Sequence, residues 1–179
     1  MKGATDNPRL NTFLDILNTN GLIQITPEII QKAKEHCDYD DDDTLCFDDL
    51  LVDLLDERTF LWGWEVFEGV EDYGHALEKV ARVVPGFYAS HVRVSFDETE
   101  KLVRLDFKQG DRQKRWRFKH YHGVQSENFL THLELELATN HAYTLFVGDC
   151  EEYVALVCLP IAVKDQLVAA KLLENTEEF

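Results

Sequence analysis

Carboxylates dominate the side chains of this sequence that could do chemistry. Between Glu35 and Glu57 the chain carries 11 acidic residues and neither lysine nor arginine. Asp38, Asp40, Asp41, Asp42 and Asp43 form one run with Tyr39 among them, and Asp48, Asp49, Asp53 and Asp56 follow at helical spacing. Such a cluster suits two tasks, holding a divalent cation or meeting a cationic macromolecule. For the first there is a specific template. The stretch from Asp38 to Asp49 has EF-hand length, with Asp38, Asp40 and Asp42 at ligand positions one, three and five and Leu45 at the apolar position eight. The template fails at position six, where Asp43 replaces the glycine of the sharp turn, and at position twelve, where Asp49 is too short to replace a bidentate glutamate. What survives is loose ion binding by clustered carboxylates. For the second task, like charges at this density repel one another and destabilise the compact chain unless something offsets them. A solvated, solubilising face is the plainer account of the same residues.

The opposite sign gathers farther along. If Val92, Val103 and Trp116 point inward on three strands, the outward positions are His91, Arg93, Arg104, Lys108, Arg115, Arg117 and Lys119, with Asp106 the one acid among them. A face of this kind could bind anions, support the chain's own acidic helix, or simply stay wet. His120 and His122 lie two apart, so on a strand they would share a face and could ligate a metal, with a third ligand from His91, His132 or His141. Surface decoration is the competing reading of that pair. Cys150 sits among Asp149, Glu151 and Glu152, neighbours that oppose formation of a thiolate. The sequence has no Gly-x-Ser-x-Gly, no phosphate-cradling glycine loop and no His-Glu-x-x-His. No catalytic residue is assigned, and no cofactor is expected.

These groups need elements to hold them. Asn7-Pro8 caps a first helix whose buried face is Leu10, Phe13, Leu14 and Leu17, and Asn20-Gly21 ends it. Thr26-Pro27 starts a second helix through Ile29, Ile30, Ala33 and Cys37. A third presents Phe47, Leu50, Leu51, Leu54 and Leu55 inward and its aspartates outward. A short strand is expected over Trp62, Trp64 and Val66, where the two tryptophans read as core anchors. A helix through Tyr73, Leu77 and Val80 then runs up to Pro85-Gly86. A three-stranded meander follows, then a helix over 126–138, favoured over a strand because Phe129, Leu130, Leu133 and Leu137 share a helical face. A hairpin of two apolar strands and a last helix, opened by Pro160 and running through Val163, Leu167, Ala170 and Leu173, complete an α+β chain, its N-terminal helices laid on a mainly antiparallel sheet. Residues 1–58 read as an acidic helical subdomain and 59–179 as the α+β body, with a single domain overall as the alternative.

The 179 residues include 34 acids and 18 bases, a net charge of −16 and a sequence pI of about 4.7. That balance opposes non-specific binding to nucleic acid or to an anionic membrane. The N-terminus lacks an apolar leader, and the longest nearly apolar run, Val154 to Val163, is too short to span a bilayer. Four cysteines without a Cys-x-x-Cys pair read as reduced thiols of a cytoplasmic protein.

The succession of the Arg115-Trp116-Arg117-Phe118 strand, the Phe129-Leu130 helix and the hairpin from Asp149 to Pro160 resembles bacterial toxin-immunity proteins. The resemblance covers about half the chain and carries no residue-level role. It implies a non-enzymatic inhibitor whose acidic surface meets a basic toxin domain, with electrostatic steering of the encounter. The expected contact is Asp38 to Asp43, including Tyr39, together with Asp48, Asp49, Asp53 and Asp56. The alternative expectation is a ligand-binding or catalytic domain that uses Arg93, Arg104, Lys108, Arg115, Arg117 and Lys119 with the His120/His122 pair. An acidic protein that occupies a DNA-binding partner would use the first surface too.

Overall fold

The computed structural model describes residues 5–38, 47–62, 69–120, 127–150 and 153–173. Helix α1 spans Pro8–Thr19, α2 Pro27–Asp38 and α3 Phe47–Leu54, followed by a 3-10 turn, Asp56–Arg58. Strand β1 is Thr59–Trp62 and α4 is Asp72–Val83; β2, β3 and β4 are Ser90–Asp97, Leu102–Gln109 and Arg112–Lys119. Helix α5 is Glu127–His141, β5 is Tyr143–Cys150, β6 is Tyr153–Pro160 and α6 is Ile161–Ala169. The caps form as their residues demand. Asn7 accepts from the backbone of Arg9 and Leu10 at 2.9 and 3.1 Å. Gly21, at φ +70°, lets its own N–H reach Asn18 and that of Leu22 reach Leu17, closing α1 in a Schellman turn.

Among the described residues six strands divide into two antiparallel sheets, one in the order β1-β6-β5 and one in the order β2-β3-β4. The first is buried on both faces. Phe146, Val157 and Leu159 face one apolar core with Leu10, Phe13, Leu14 and Leu17 of α1, Phe47, Leu50 and Leu51 of α3, and Val163 and Leu167 of α6. Phe60, Leu145, Leu156 and Cys158 face a second core, shared with Tyr73, Leu77 and Val80 of α4 and Phe129, Leu130, Leu133 and Leu137 of α5. The far side of that core is the inner face of the other sheet: Val103, Leu105, Phe107, Trp116 and Phe118. The layers therefore run helices, sheet, helices, sheet, and the last sheet turns its outer face to water. The helices of 1–58 do not close a core of their own, because theirs is completed by β5, β6 and α6.

Two local expectations shift. The strand expected around Trp62, Trp64 and Val66 begins at Thr59, because Phe60 and Thr59 are its buried residues and β6 supplies its partner edge. Residues 63–68 lie outside the described ones. Helix α6 stops at Ala169, where a second Schellman turn forms with Lys171 at φ +55°, so Leu172 and Leu173 reach the core from beyond the helix. The choice of helix over strand for 126–138 agrees with α5, and Ser126 lies outside the described residues.

Candidate functional site

Two charged surfaces emerge, at opposite ends of the layer stack. The acidic one is carried by α3 and its surroundings. The apolar stripe Phe47, Leu50, Leu51 and Leu55 is driven against β5 and β6, which leaves Asp48, Asp49 and Asp53 on the remaining arc. Asp48 and Asp49 are half-buried in the first turn, where a negative charge complements the helix dipole. Asp53 is exposed; its carboxylate lies 3.5 Å from His36, and its backbone carbonyl accepts from Lys32 Nζ at 2.7 Å. Asp56 and Glu57 are exposed in the 3-10 turn. Among the described residues no lysine or arginine pairs with the carboxylate of Asp53 or Asp56. Asp38 closes α2, while Tyr39, Asp40, Asp41, Asp42 and Asp43, and with them most of the EF-hand-length stretch, lie outside the described residues.

The basic surface is the outer face of β2-β3-β4, and its alternation matches the inward and outward positions expected from sequence. Arg93, Arg104, Lys108, Arg115, Arg117 and Lys119 are all exposed. Strand register sets them in rows: Ser95, Arg104 and Arg117 across one, and Arg93, Asp106 and Arg115 across the next. Asp106 holds Arg115 at 2.6 Å, and Lys119 donates to the carbonyl of Glu100. Arg93, Arg104, Lys108 and Arg117 have no carboxylate partner among the described residues. This face does not support the acidic helix. The apolar stripe of α3 needs an apolar surface, and β5 and β6 provide it, two layers away.

No family model, curated protein or solved structure matches this chain. The residues themselves must therefore carry the functional reading.

The histidine pair does not form on the basic face. Strand β4 ends at Lys119, and His120 turns into the core, 7% exposed, with its Nδ1 2.9 Å from the hydroxyl of Tyr73. The rings of Phe96 and Tyr73 stand edge-on to it. Once the inward periodicity is followed past the strand end, Trp116, Phe118 and His120 fall on one side, and burial follows. His122 lies outside the described residues. Among those described, no group of three or more histidine, cysteine, aspartate or glutamate side chains could hold a metal. Cys158 is a free thiol in the core, and burial pushes its pKa up to about 12, which makes it a poor nucleophile. The side chain of Cys150 is not among those described.

A buried polar cluster escaped the reading by charge runs. Glu136 of α5 is 8% exposed and accepts from Lys114 Nζ at 3.0 Å, with His141 Nε2 4.0 Å away. Gln109 Nε2 in turn lies 3.2 Å from His141. Burial pushes the Glu136 carboxyl up, but hydrogen bonds from Lys114 and Gln109 and the charges of Lys114 and His141 outweigh it, leaving the group below its ordinary range. Its Oε1 has no hydrogen-bond partner. The available signal was a glutamate three residues after Leu133, close to the apolar stripe. Glu134 behaves differently. Its carboxylate takes the Thr144 hydroxyl at 2.5 Å and the Leu145 N–H at 2.8 Å, fastening α5 to the edge of β5.

Proposed function

We propose that this chain is a non-enzymatic acidic inhibitor that binds a basic protein, of the kind that neutralises a bacterial toxin domain. One observation supports it above the others: among the described residues the carboxylates of Asp53 and Asp56 meet no lysine or arginine. Residues 1–58 carry 14 acids against 5 lysines and arginines, while residues 90–119 carry 5 acids against 9. Among the described residues, the acids of α3 and the arginines of β2-β3-β4 sit on opposite outer layers, so those arginines do not neutralise Asp53 or Asp56. A net-acidic pole focuses its field outward and speeds encounter with a cationic partner. Asp48, Asp49, Asp53 and Asp56 make up its part on and after α3, and Asp38, Tyr39, Asp40, Asp41, Asp42 and Asp43 extend it in sequence. Cytoplasmic residence belongs to the same proposal.

The test is an affinity capture from native lysate with wild-type chain and with Asp48, Asp49, Asp53 and Asp56 all changed to asparagine. A partner of basic pI retained by the first and lost by the second supports the proposal. Its association rate should fall about tenfold or more at low salt and converge at high salt. Equal association rates for the two proteins would remove the proposal.

A second reading assigns ligand binding to the outer face of β2-β3-β4, and it is favoured because Arg93, Arg104, Lys108 and Arg117 meet no carboxylate there among the described residues. The histidine pair no longer contributes to that reading, because His120 belongs to the core.

A further inference from the structure

Arg104 and Arg117 are direct cross-strand neighbours. Like charges in that relation destabilise a sheet, and among the described residues no carboxylate relieves them. Arg93 lies in the next row, across from Asp106. Solubility does not call for these cations in a chain already at −16. Edge protection accounts for Lys and Arg on β2 or β4, where they discourage pairing with another sheet. It does not account for Arg104 and Lys108, which stand on the central strand β3. Residue type points the same way. Four of the chain's eight arginines are on this face, against two of its ten lysines. Lysine would serve for screening, whereas the planar guanidinium fork matches the paired oxygens of a phosphate.

The net charge of the molecule does not forbid an anion here. Two layers separate this face from the acidic helices, roughly 30 Å at about 10 Å per layer. That is several times the screening length of about 8 Å at physiological salt. A small anion therefore responds to the local cations, while a long polyanion also runs past the face toward the acidic remainder.

We infer that Arg93, Arg104 and Arg117 form a docking site for a small phosphate-bearing ligand, a phosphomonoester or diphosphate held between the paired guanidinium forks. The inference rests on the second reading of the face and names the chemical class that face receives. Asp106 limits the site by engaging Arg115, and Lys108 adds positive potential from the same strand.

The experiment is a titration of the full chain with pyrophosphate at constant ionic strength, read by the arginine Nε–H resonances. Shifts centred on Arg93, Arg104 and Arg117 are expected. Arg104→Gln with Arg117→Gln should weaken binding about tenfold or more without lowering the melting temperature. Asp106→Asn, which releases the Arg115 fork, should tighten it about threefold, an independent check if the double variant folds poorly. No response to any anion, or equal binding by the double variant, would overturn the second reading along with the inference. Equal binding of citrate, or an oligonucleotide bound at least about tenfold tighter than pyrophosphate, would overturn the assignment to a small phosphate while leaving an anion-binding face in place.

Discussion

The two sheets are both three-stranded and antiparallel, yet water meets them differently. In β1-β6-β5 both faces are packed, with Phe146 and Val157 into one core and Leu145, Leu156 and Cys158 into the other. In β2-β3-β4 only one face is packed, and the other carries a row of arginines. The difference shows where this molecule has room for function. The inner sheet joins the helical layers and has no surface to spare. The outer sheet needs only its inward residues to fold, which leaves its outward residues open to selection for binding. The acidic arc of α3 faces away from the core for the same reason, since Phe47, Leu50 and Leu51 already anchor that helix.

The sharpest way to break this comparison is to cut equally into the two sheets. Phe146→Ala should cost about 3–5 kcal/mol in denaturant unfolding, the toll of a large cavity at a fully buried ring. Arg104→Ala should stay within about 0.5 kcal/mol of wild type. Similar costs would mean that the outer face is structural.

The next effect concerns the polar joint between the outer sheet and α5. Lys114→Met leaves the buried Glu136 carboxylate without its cation and should cost about 2 kcal/mol. Adding Glu136→Leu should recover most of that loss, as a double-mutant cycle would record. The pH dependence has a defined sign. The folded Glu136 titrates below its unfolded value. Its contribution is therefore complete above the ordinary glutamate range and is lost as pH falls through the folded value. The melting temperature of wild type should accordingly approach that of Glu136→Gln on acidification.

Smaller again is Tyr73→Phe, which removes the hydroxyl that meets His120 and should cost about 1 kcal/mol by thermal or chemical unfolding. Smallest is Arg104→Thr. Relieving the cross-strand repulsion with Arg117 on a β-favouring residue should stabilise the chain by a few tenths of a kcal/mol. A loss in that variant would show that the arginine holds the sheet together rather than waiting for an anion.

Much of the architecture was legible because local rules and tertiary packing agree. Asn7-Pro8 and Gly21 bounded α1, and Val103, Leu105 and Phe107 alternated with Arg104, Asp106 and Lys108 as a half-wet strand must. The helix over 126–138 was harder, since Leu133, Leu135 and Leu137 also alternate; Leu135 turns out 65% exposed, as a helix requires. His120 was misplaced because the step from a strand end into a core is set by what surrounds it, here Tyr73 from α4 and Phe96 from β2, distant in sequence.

From its residues alone this chain declares periodicity, caps and the sign of its charges, because each depends on neighbours within one or two turns. Which surfaces those charges end up on depended on long-range closure. β1 had to pair with β6, and the helices of 1–58 had to find β5, β6 and α6 to finish their core. Only that assembly places the acids of α3 and the arginines of β2-β3-β4 on opposite outer layers, far enough apart that neither cancels the other.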